Sequence, residues 1–192
     1  MKKISTLLAM ILISGFSIAQ TAWTIDKSHS NITFTVTHNV VAEVEGNFKE
    51  FDGKVTSSTE DFNGAEVEFI AKTASIFTNS ERRDEHLKSD DFFNAEQFPE
   101  IKFAGKIVKE GDKYQLKGKF TMRDVTKDVV FDVKYRGSVA AGKGYKAGFK
   151  ISGAINRFDY GLKWNRAMEV GNLVVADEVQ IACNIELNKQ VQ

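Results

Sequence analysis

The sequence contains very little cysteine. One cysteine, Cys183, stands among 192 residues, so no disulfide can form within the chain. Cys183 shares a two-residue apolar period with Ile181 and Ile185, which indicates a small buried hydrophobic residue rather than a reactive thiol. The stability of the fold must therefore come from apolar burial and hydrogen bonds.

The sequence also lacks an excess of either charge. Lysine and arginine total 26 and aspartate and glutamate total 26, which gives a formal net charge of zero. A nucleic-acid-binding protein normally carries a basic surface that attracts phosphate. We therefore predict no nucleic-acid partner, while protein partners and oligomeric state are left open by the sequence.

The N-terminal apolar run is too short to span a membrane. It extends from Leu7 to Ile13, whereas a membrane-spanning helix needs roughly 20 apolar residues. Two lysines precede the run and small residues follow it at Ser17-Ile18-Ala19, an order typical of a cleaved signal peptide. We predict that residues 1–19 are a cleaved signal peptide and that residues 20–192 form one periplasmic domain, with secretion as the second choice.

The common catalytic and metal-binding motifs are missing as well. There is no Gly-x-Ser-x-Gly and no His-Glu-x-x-His, and the glycines between residues 142 and 148 miss the dinucleotide-binding spacing. Metal ligands often stand one helical turn apart. No such spacing is found among the three histidines, His29, His38 and His86. We therefore predict no metal site and no cofactor.

A two-residue period of apolar side chains recurs along the chain. In the stretch from Asn31 to His38, Ile32, Phe34 and Val36 share one parity and threonines fill the other. About eight such strands follow one another, and glycine-containing turns separate several of them. These turns lie at residues 63–64, 110–112 and 142–144. Repeated hairpins predict a mainly β protein, an antiparallel barrel or sandwich.

One segment breaks this pattern. Residues 78–81 have the Ser/Thr-x-x-Glu form of a capping box, so we predict a short helix over Ser80–Lys88. Leu87 is its only large apolar residue, which excludes a core helix. Three aromatic residues crowd the following loop, Phe92, Phe93 and Phe98. We predict that residues 80–98 close or border one end of the barrel, as a plug or as a mobile lid.

The covered faces of the strands carry many phenylalanines. Of the 15 phenylalanines, all but Phe16 follow the predicted signal peptide. An eight-stranded barrel is just wide enough to be filled by side chains or to hold one small ligand, and the sequence leaves both alternatives open. A guest in such a lumen would have to be apolar. The candidate lumen residues are Ile32, Phe34, Val36, Phe69, Phe103, Phe120, Phe131, Phe149 and Ile151.

A second set of residues is predicted near the mouth of the barrel. It comprises His38, Arg82, His86, Phe92, Phe93 and Asp159. Arg82 and His86 lie one helical turn apart and could receive an anionic head group, although a solvated helix face is the ordinary outcome. Asp159 and His86 could also meet as an acid and a base, which keeps an enzyme among the alternatives.

Four motifs occur in order from Trp23 to the C-terminal strand. They are Trp-x-Ile-Asp-x-x-His-Ser from Trp23, Arg-Asp-x-His-Leu from Arg83, Phe-Pro-x-Ile-x-Phe from Phe98 and Asn-Arg-x-Asp-Tyr-Gly from Asn156. In this combination the chain resembles the YceI-like family of bacterial periplasmic proteins. The resemblance extends over essentially the whole chain after the signal peptide.

The resemblance implies a lipocalin-like, eight-stranded antiparallel barrel that holds a polyisoprenoid chain in its lumen. From it we predict a periplasmic protein that binds, and stores or carries, an isoprenoid lipid with a polyprenyl or quinone-type chain. We expect no catalysis, and we expect transient contact with a membrane. The alternatives are a periplasmic enzyme that acts on a hydrophobic substrate and a structural barrel without a ligand.

Overall fold

The computed structural model describes residues 20–165 and 174–190. The signal peptide predicted for residues 1–19 lies outside the described residues. The strands are β1 (Thr21–Ile25), β2 (Asn31–His38), β3 (Ala42–Phe48), β4 (Phe51–Ser57), β5 (Glu66–Lys72), β6 (Ile76–Phe77), β7 (Glu100–Glu110), β8 (Lys113–Met122), β9 (Val125–Ala141), β10 (Gly144–Asn156) and β11 (Val175–Gln190). The helix α1 spans Glu81–Lys88, and short 3₁₀ turns cover Thr73–Ser75 and Arg157–Tyr160. Within these residues no helix has the length and apolar character of a membrane span.

The strands form a closed antiparallel barrel. Hydrogen bonding runs through β1, β4, β5, β7, β8, β9, β10 and β11 in that order, and β11 pairs back with β1. The other three strands extend this ladder at one end. Strand β2 follows β1 and pairs with β11, and β3 precedes β4 and pairs with β2. Strand β6 follows β5 and pairs with β3. Each such pair acts as one long, interrupted strand, so the barrel has eight staves. This confirms the predicted eight-stranded barrel.

The interruptions in neighbouring staves are bonded to one another. Lys49 and Glu50 separate β3 from β4, and their backbone groups bond to Ser75 and Lys72 of the adjacent stave. These two residues leave the regular ladder, so β3 and β4 are separate strands of one stave. The backbone groups of these two exposed residues remain hydrogen-bonded, to a segment more than 20 residues further along the chain.

The up-and-down strand order sorts the connections into two ends. At the end that we call the helix end lie the β2–β3 turn, α1 with its loop, the β8–β9 turn and the residues after β10. At the opposite end, which we call the far end, lie the β4–β5, β7–β8 and β9–β10 connections. The helix and the aromatic loop predicted near residues 80–98 are thus confirmed and belong to one end of the barrel.

Helix α1 begins at Glu81, one residue later than predicted, and its capping also differs. Ser80 is the N-cap residue and makes no side-chain cap bond. Thr78 is buried, and its backbone N–H and its hydroxyl both donate to Asp84 Oδ1, at 2.9 and 2.5 Å. Arg83 in turn donates through Nε to Thr78 Oγ1 at 2.7 Å. The predicted capping box is wrong because the buried carboxylate of Asp84, one turn into the helix, takes the donors of Thr78.

Candidate functional site

An apolar cavity of about 210 Å³ occupies the barrel interior. A single water needs only about 10–15 Å³ of such volume, so the cavity is large enough for an organic guest. Its accessible wall is apolar throughout. The interior is thus hollow rather than a solid aromatic core, which decides between the two alternatives that the sequence left open.

All nine candidate lumen residues lie at the cavity wall. These are Ile32, Phe34, Val36, Phe69, Phe103, Phe120, Phe131, Phe149 and Ile151. Cys183 also belongs to the wall and is buried, in agreement with the apolar role predicted for it. These residues share the cavity wall because they occupy the inward-facing positions of their strands, and alternate side chains of a strand face the same side. That these residues contact a lipid stays a prediction.

Glycines on the inward parity make room for several of the aromatic rings. A Cβ atom added to Gly153 would lie 2.5 Å from Cδ1 of Phe131, and one added to Gly105 would lie 2.7 Å from Cζ of Phe103. A Cβ at Gly46 would likewise overlap the ring of Phe34. These rings therefore occupy wall positions that a side chain would otherwise fill. The lumen stays open although many phenylalanines face it.

At the far end of the barrel Phe62 packs behind the wall residue Phe149, a contact that the sequence interpretation missed. Its side chain is 1% exposed, and its ring centroid lies 5.1 Å from Trp23, 5.4 Å from Tyr135 and 5.0 Å from Phe149. The backbone of Phe62 has a positive φ of 60°, which is uncommon for a bulky residue and is held in place by its surroundings. The only sequence signal was an aromatic residue just before the Asn-Gly turn.

Helix α1 and its loop border the cavity at the helix end. Leu87, Phe92 and Phe93 all contribute to the wall. The ring of Phe93 packs edge-on against Phe48 with centroids 6.0 Å apart. The loop therefore covers this end through apolar contacts.

A single arginine ties this loop to the segment after β10. Arg123 Nη1 donates to the carbonyl oxygen of Phe92 at 2.7 Å and to that of Gly161 at 3.1 Å. The Phe92 ring also packs against Trp164 at 5.2 Å. The cover thus consists of two chain segments that Arg123 joins.

The polar residues predicted at the mouth do not line the cavity. Of that set only Phe92 and Phe93 belong to the wall, unlike His38, Arg82, His86 and Asp159. His86 Nε2 lies 2.9 Å from Asp91 Oδ2, and its ring packs edge-on against Phe92 and Trp164. In the described part of the chain His86 therefore pairs with Asp91 and not with Asp159, which is exposed in the turn after β10. These polar side chains keep contact with solvent because the lumen offers them no partners.

A separate polar cluster joins the β1–β2 interruption to β10 and β11. Atoms of Asp26, His29 and Glu186 that could bind a metal lie within 4.8 Å of one another. Lys146 Nζ, however, lies 3.2 Å from Asp26 and also contacts Glu186. Hydrogen bonds from Ser28 and His29 hold the pKa of the Asp26 carboxyl well below its usual range. The Lys146 ammonium offsets one of the two carboxylate charges and bridges Asp26 and Glu186, so the cluster ties β10 and β11 to the β1–β2 interruption.

We expect the protein to lose stability at alkaline pH because a thiol and a phenol are buried in the fold. Burial raises the pKa of the Cys183 thiol to about 12 and that of the Tyr160 phenol to about 12. In the unfolded chain the thiol loses its proton at about pH 8.5 and the phenol at about pH 10. Above those values the unfolded state binds fewer protons than the folded state, so the free energy of unfolding decreases as the pH rises.

We expect Cys183→Ala to reduce this alkaline loss. Urea unfolding of the parent and the variant at pH 7 and pH 10 would measure it, and the parent should lose about 2 kcal/mol more than the variant between the two values. A packing change from the substitution is the same at both pH values and cancels. Equal losses in the two proteins would contradict the burial of a neutral thiol.

The chain matches a known protein family over most of its length. A family model described as a YceI-like domain matches residues 23–187. A UPF0312 protein of Staphylococcus aureus (strain MSSA476) is 34% identical over 170 residues, which cover 88% of this chain and 98% of that protein.

Solved structures share the barrel. A Campylobacter jejuni YCEI protein has a TM-score of 0.67 and 28% identity and covers 86% of this chain and 96% of its own. Burkholderia cenocepacia BcnA has a TM-score of 0.71 and 21% identity, over 84% of this chain and 98% of its own. A polyisoprenoid binding domain from Saccharophagus degradans has a TM-score of 0.66 and 14% identity, over 88% and 99%. At these last two identities the likeness concerns the fold.

Proposed function

Because this chain belongs to the YceI-like family, we propose that its barrel binds an isoprenoid lipid and stores or carries it in the periplasm. The observation that carries the proposal is the closed barrel with a wholly apolar cavity. The structurally similar domain of Saccharophagus degradans, described as polyisoprenoid-binding, supports the same ligand class. The predicted signal peptide supports the compartment.

Burial of the chain provides the driving force for binding. A tail of three isoprene units has about fifteen carbons and would gain roughly 12 kcal/mol at about 0.8 kcal/mol for each buried CH₂. Association costs about 4–15 kcal/mol, which offsets most of that gain. Long tails should therefore bind well and short ones hardly at all.

The proposal is one of binding without turnover. The wall offers apolar groups along its length, and in the described part of the chain His86 and Asp159 form no acid–base pair at the cavity. A polyprenyl and a quinone-type chain both suit such a lumen. An enzyme acting on a hydrophobic substrate is the alternative that the experiment below must separate.

The direct test is mass spectrometry of an organic extract of the protein purified from its own source. We expect an unmodified isoprenoid in roughly one-to-one ratio with the protein, and none in an extract of an unrelated periplasmic protein purified in the same way. Incubation with the extracted lipid should return it unchanged. A modified product would favour the enzyme, and an extract without lipid would favour the structural barrel.

We also propose that the helix end opens to admit the lipid and meets the membrane transiently. Movement of a loop exposes few backbone groups, whereas separation of two strands exposes a whole ladder. Arg123 joins the two segments of the cover through its bonds to Phe92 and Gly161. Removing these bonds should make opening easier and leave the lumen intact.

We expect Arg123→Met to speed the exchange of a fluorescent isoprenoid. Two hydrogen bonds of about 1 kcal/mol each predict a rate increase of roughly tenfold or more, while the equilibrium affinity changes less. Stopped-flow transfer from vesicles would measure both. Arg136→Met, at an exposed arginine of β9, is the matched control and should leave the rate unchanged. Equal rates in all three proteins would show that the lipid passes elsewhere.

A further inference from the structure

Three consecutive apolar residues are exposed at the β2–β3 turn. Val40 is 58% exposed, Val41 is 88% exposed, and the neighbouring Ala42 is exposed as well. Apolar side chains that are exposed singly are normal on a protein surface, whereas a contiguous exposed group is typical of an interaction surface. We call these three residues the valine tip.

The turn places a valine where glycine is favoured. Asn39 and Val40 have positive φ angles of 51° and 65°, and the backbone N–H of Val41 donates to the carbonyl oxygen of His38 at 3.3 Å. Hairpin turns of this kind favour Asn-Gly, because both central residues need a positive φ. A β-branched residue with a positive φ is strained, and the exposed side chain of Val40 gains little burial that would offset the strain. Such a local conflict without a compensating contact indicates a role in function.

The valine tip lies at the helix end, next to the wall of the cavity. Val36 of β2 and Val175 of β11 both belong to that wall, and Val175 pairs with His38 immediately before the turn. The backbone N–H of Asn39 also donates to the carbonyl oxygen of Val174 at 2.8 Å. The tip is therefore fixed to β11 and stands at the end through which we propose that the lipid passes.

The composition of the turn favours a bilayer as its partner. From Thr37 to Glu43 the chain contains no lysine or arginine, so attraction to phosphate does not explain the exposed group. An interfacial anchor gains affinity from the apolar area that it buries. A protein partner would need a pocket shaped for this one turn, whereas a bilayer accepts an apolar turn at any point of its surface. The long apolar lipid proposed as the guest resides in the same bilayer.

We infer that the valine tip inserts into the interfacial region of a lipid bilayer and holds the helix end there while the lipid is transferred. This inference rests on the proposed function and adds to it the surface that meets the membrane. The driving force is the removal of Val40 and Val41 from water. The strained backbone belongs to the same arrangement, because it keeps a branched apolar side chain in the middle of the turn.

A fluorescent dye at the tip tests the insertion directly. Ala42→Cys provides a thiol for an environment-sensitive dye, and the buried Cys183 should stay unlabelled in the folded protein, which treatment of the parent verifies. With phosphatidylcholine vesicles the emission should shift to shorter wavelength, and anionic lipid should not be required. The same dye on Val139→Cys, at the far end, should show no shift.

Val41→Thr keeps the branched shape of the side chain and makes the tip polar. The affinity for phosphatidylcholine vesicles should fall about tenfold, and the rate of transfer of a prenyl probe from vesicles should fall with it. Val139→Thr, at a valine of β9 that is 64% exposed at the far end, is the matched control and should change neither quantity. Both variants should take up the probe from solution, without vesicles, as the parent does.

Val40→Gly should change stability and membrane binding in opposite directions. Glycine relieves the strain of the positive φ, so Tm should rise by about 2–4 °C. The affinity for vesicles should nevertheless fall about tenfold, because apolar area is lost from the tip. A lower Tm would show that the Val40 side chain supports the fold and would overturn the inference.

Failure of this inference is distinguishable from failure of the proposed function. A dye at the tip that does not shift with vesicles, or equal transfer rates in Val41→Thr and the parent, would overturn the inference, while uptake of the probe from solution would leave the proposed function standing. A shift that appears at high protein concentration without vesicles would indicate a second copy of the chain and would also overturn it. A parent that takes up no prenyl probe would refute the proposed function, and the dye would still decide whether the tip enters a bilayer.

Discussion

Replacing Phe131 by aspartate should both destabilise the barrel and abolish lipid binding. Phe131 is 4% exposed and belongs to the cavity wall, with its ring centroid 6.4 Å from that of Phe103 and 6.5 Å from that of Phe120. A carboxylate there would have no partner among these apolar groups. Its burial should cost several kcal/mol or raise its pKa strongly.

The neighbouring residue provides the control. Val130 precedes Phe131 on the opposite face of β9 and is 55% exposed, so Val130→Asp adds the same charge to solvent and should change the free energy of unfolding by less than about 0.5 kcal/mol. Urea unfolding and titration with a prenyl probe would measure both variants. Because burial raises the pKa of the introduced carboxyl, the loss at Phe131 should shrink as the pH falls and the group takes up a proton. Equal effects of the two substitutions would mean that Phe131 does not face an apolar lumen.

Replacing Phe62 by alanine should open the far end of the barrel. The ring of Phe62 packs against Trp23, Tyr135 and Phe149, so its removal should cost about 3–5 kcal/mol of stability. The space that the Phe62 ring leaves next to Phe149 would then become part of the lumen. We expect the chain-length preference for a series of prenyl probes to move towards longer tails.

Two further substitutions at this position separate packing from backbone strain. Phe62→Leu keeps an apolar side chain and should retain most of the closure, so its chain-length preference should stay near that of the parent. Phe62→Gly removes the ring but suits the positive φ of 60°, and it should be about 1 kcal/mol more stable than Phe62→Ala. An unchanged length preference in Phe62→Ala would show that the tail does not reach the far end.

The wall residues could be predicted because alternation is a local property of a strand. Ile32, Phe34 and Val36 face inward as soon as their backbone is extended, whatever the rest of the chain does. The same reasoning assigned the phenylalanines of β5, β7, β8, β9 and β10. Glycine-containing turns marked the hairpins equally well, since Gly64, Gly111 and Gly142 adopt a positive φ.

The polar mouth could not be predicted in the same way. His86 and Asp159 were candidates for one site, yet His86 pairs with Asp91 and packs on Trp164. Arg157 stood in a quoted motif without a role, and its four carbonyl partners come from residues 5 to 19 positions further along the chain. Loop residues have no period that orients their side chains, so only the contacts between segments place them.

The sequence by itself therefore determined the strands, their inward faces, the short polar helix and the family of the chain. The tertiary structure alone decided that the barrel is hollow. Apolar parity is the same for a filled and an empty interior, because it states which face is covered and not what covers it. The outcome depends on where each ring lies in the closed barrel. Phe103 and Phe131 occupy the space that side chains at Gly105 and Gly153 would fill, and Phe62 comes from a loop to pack behind Phe149 at the far end. These are contacts between different strands and loops, and they exist only once the barrel has closed.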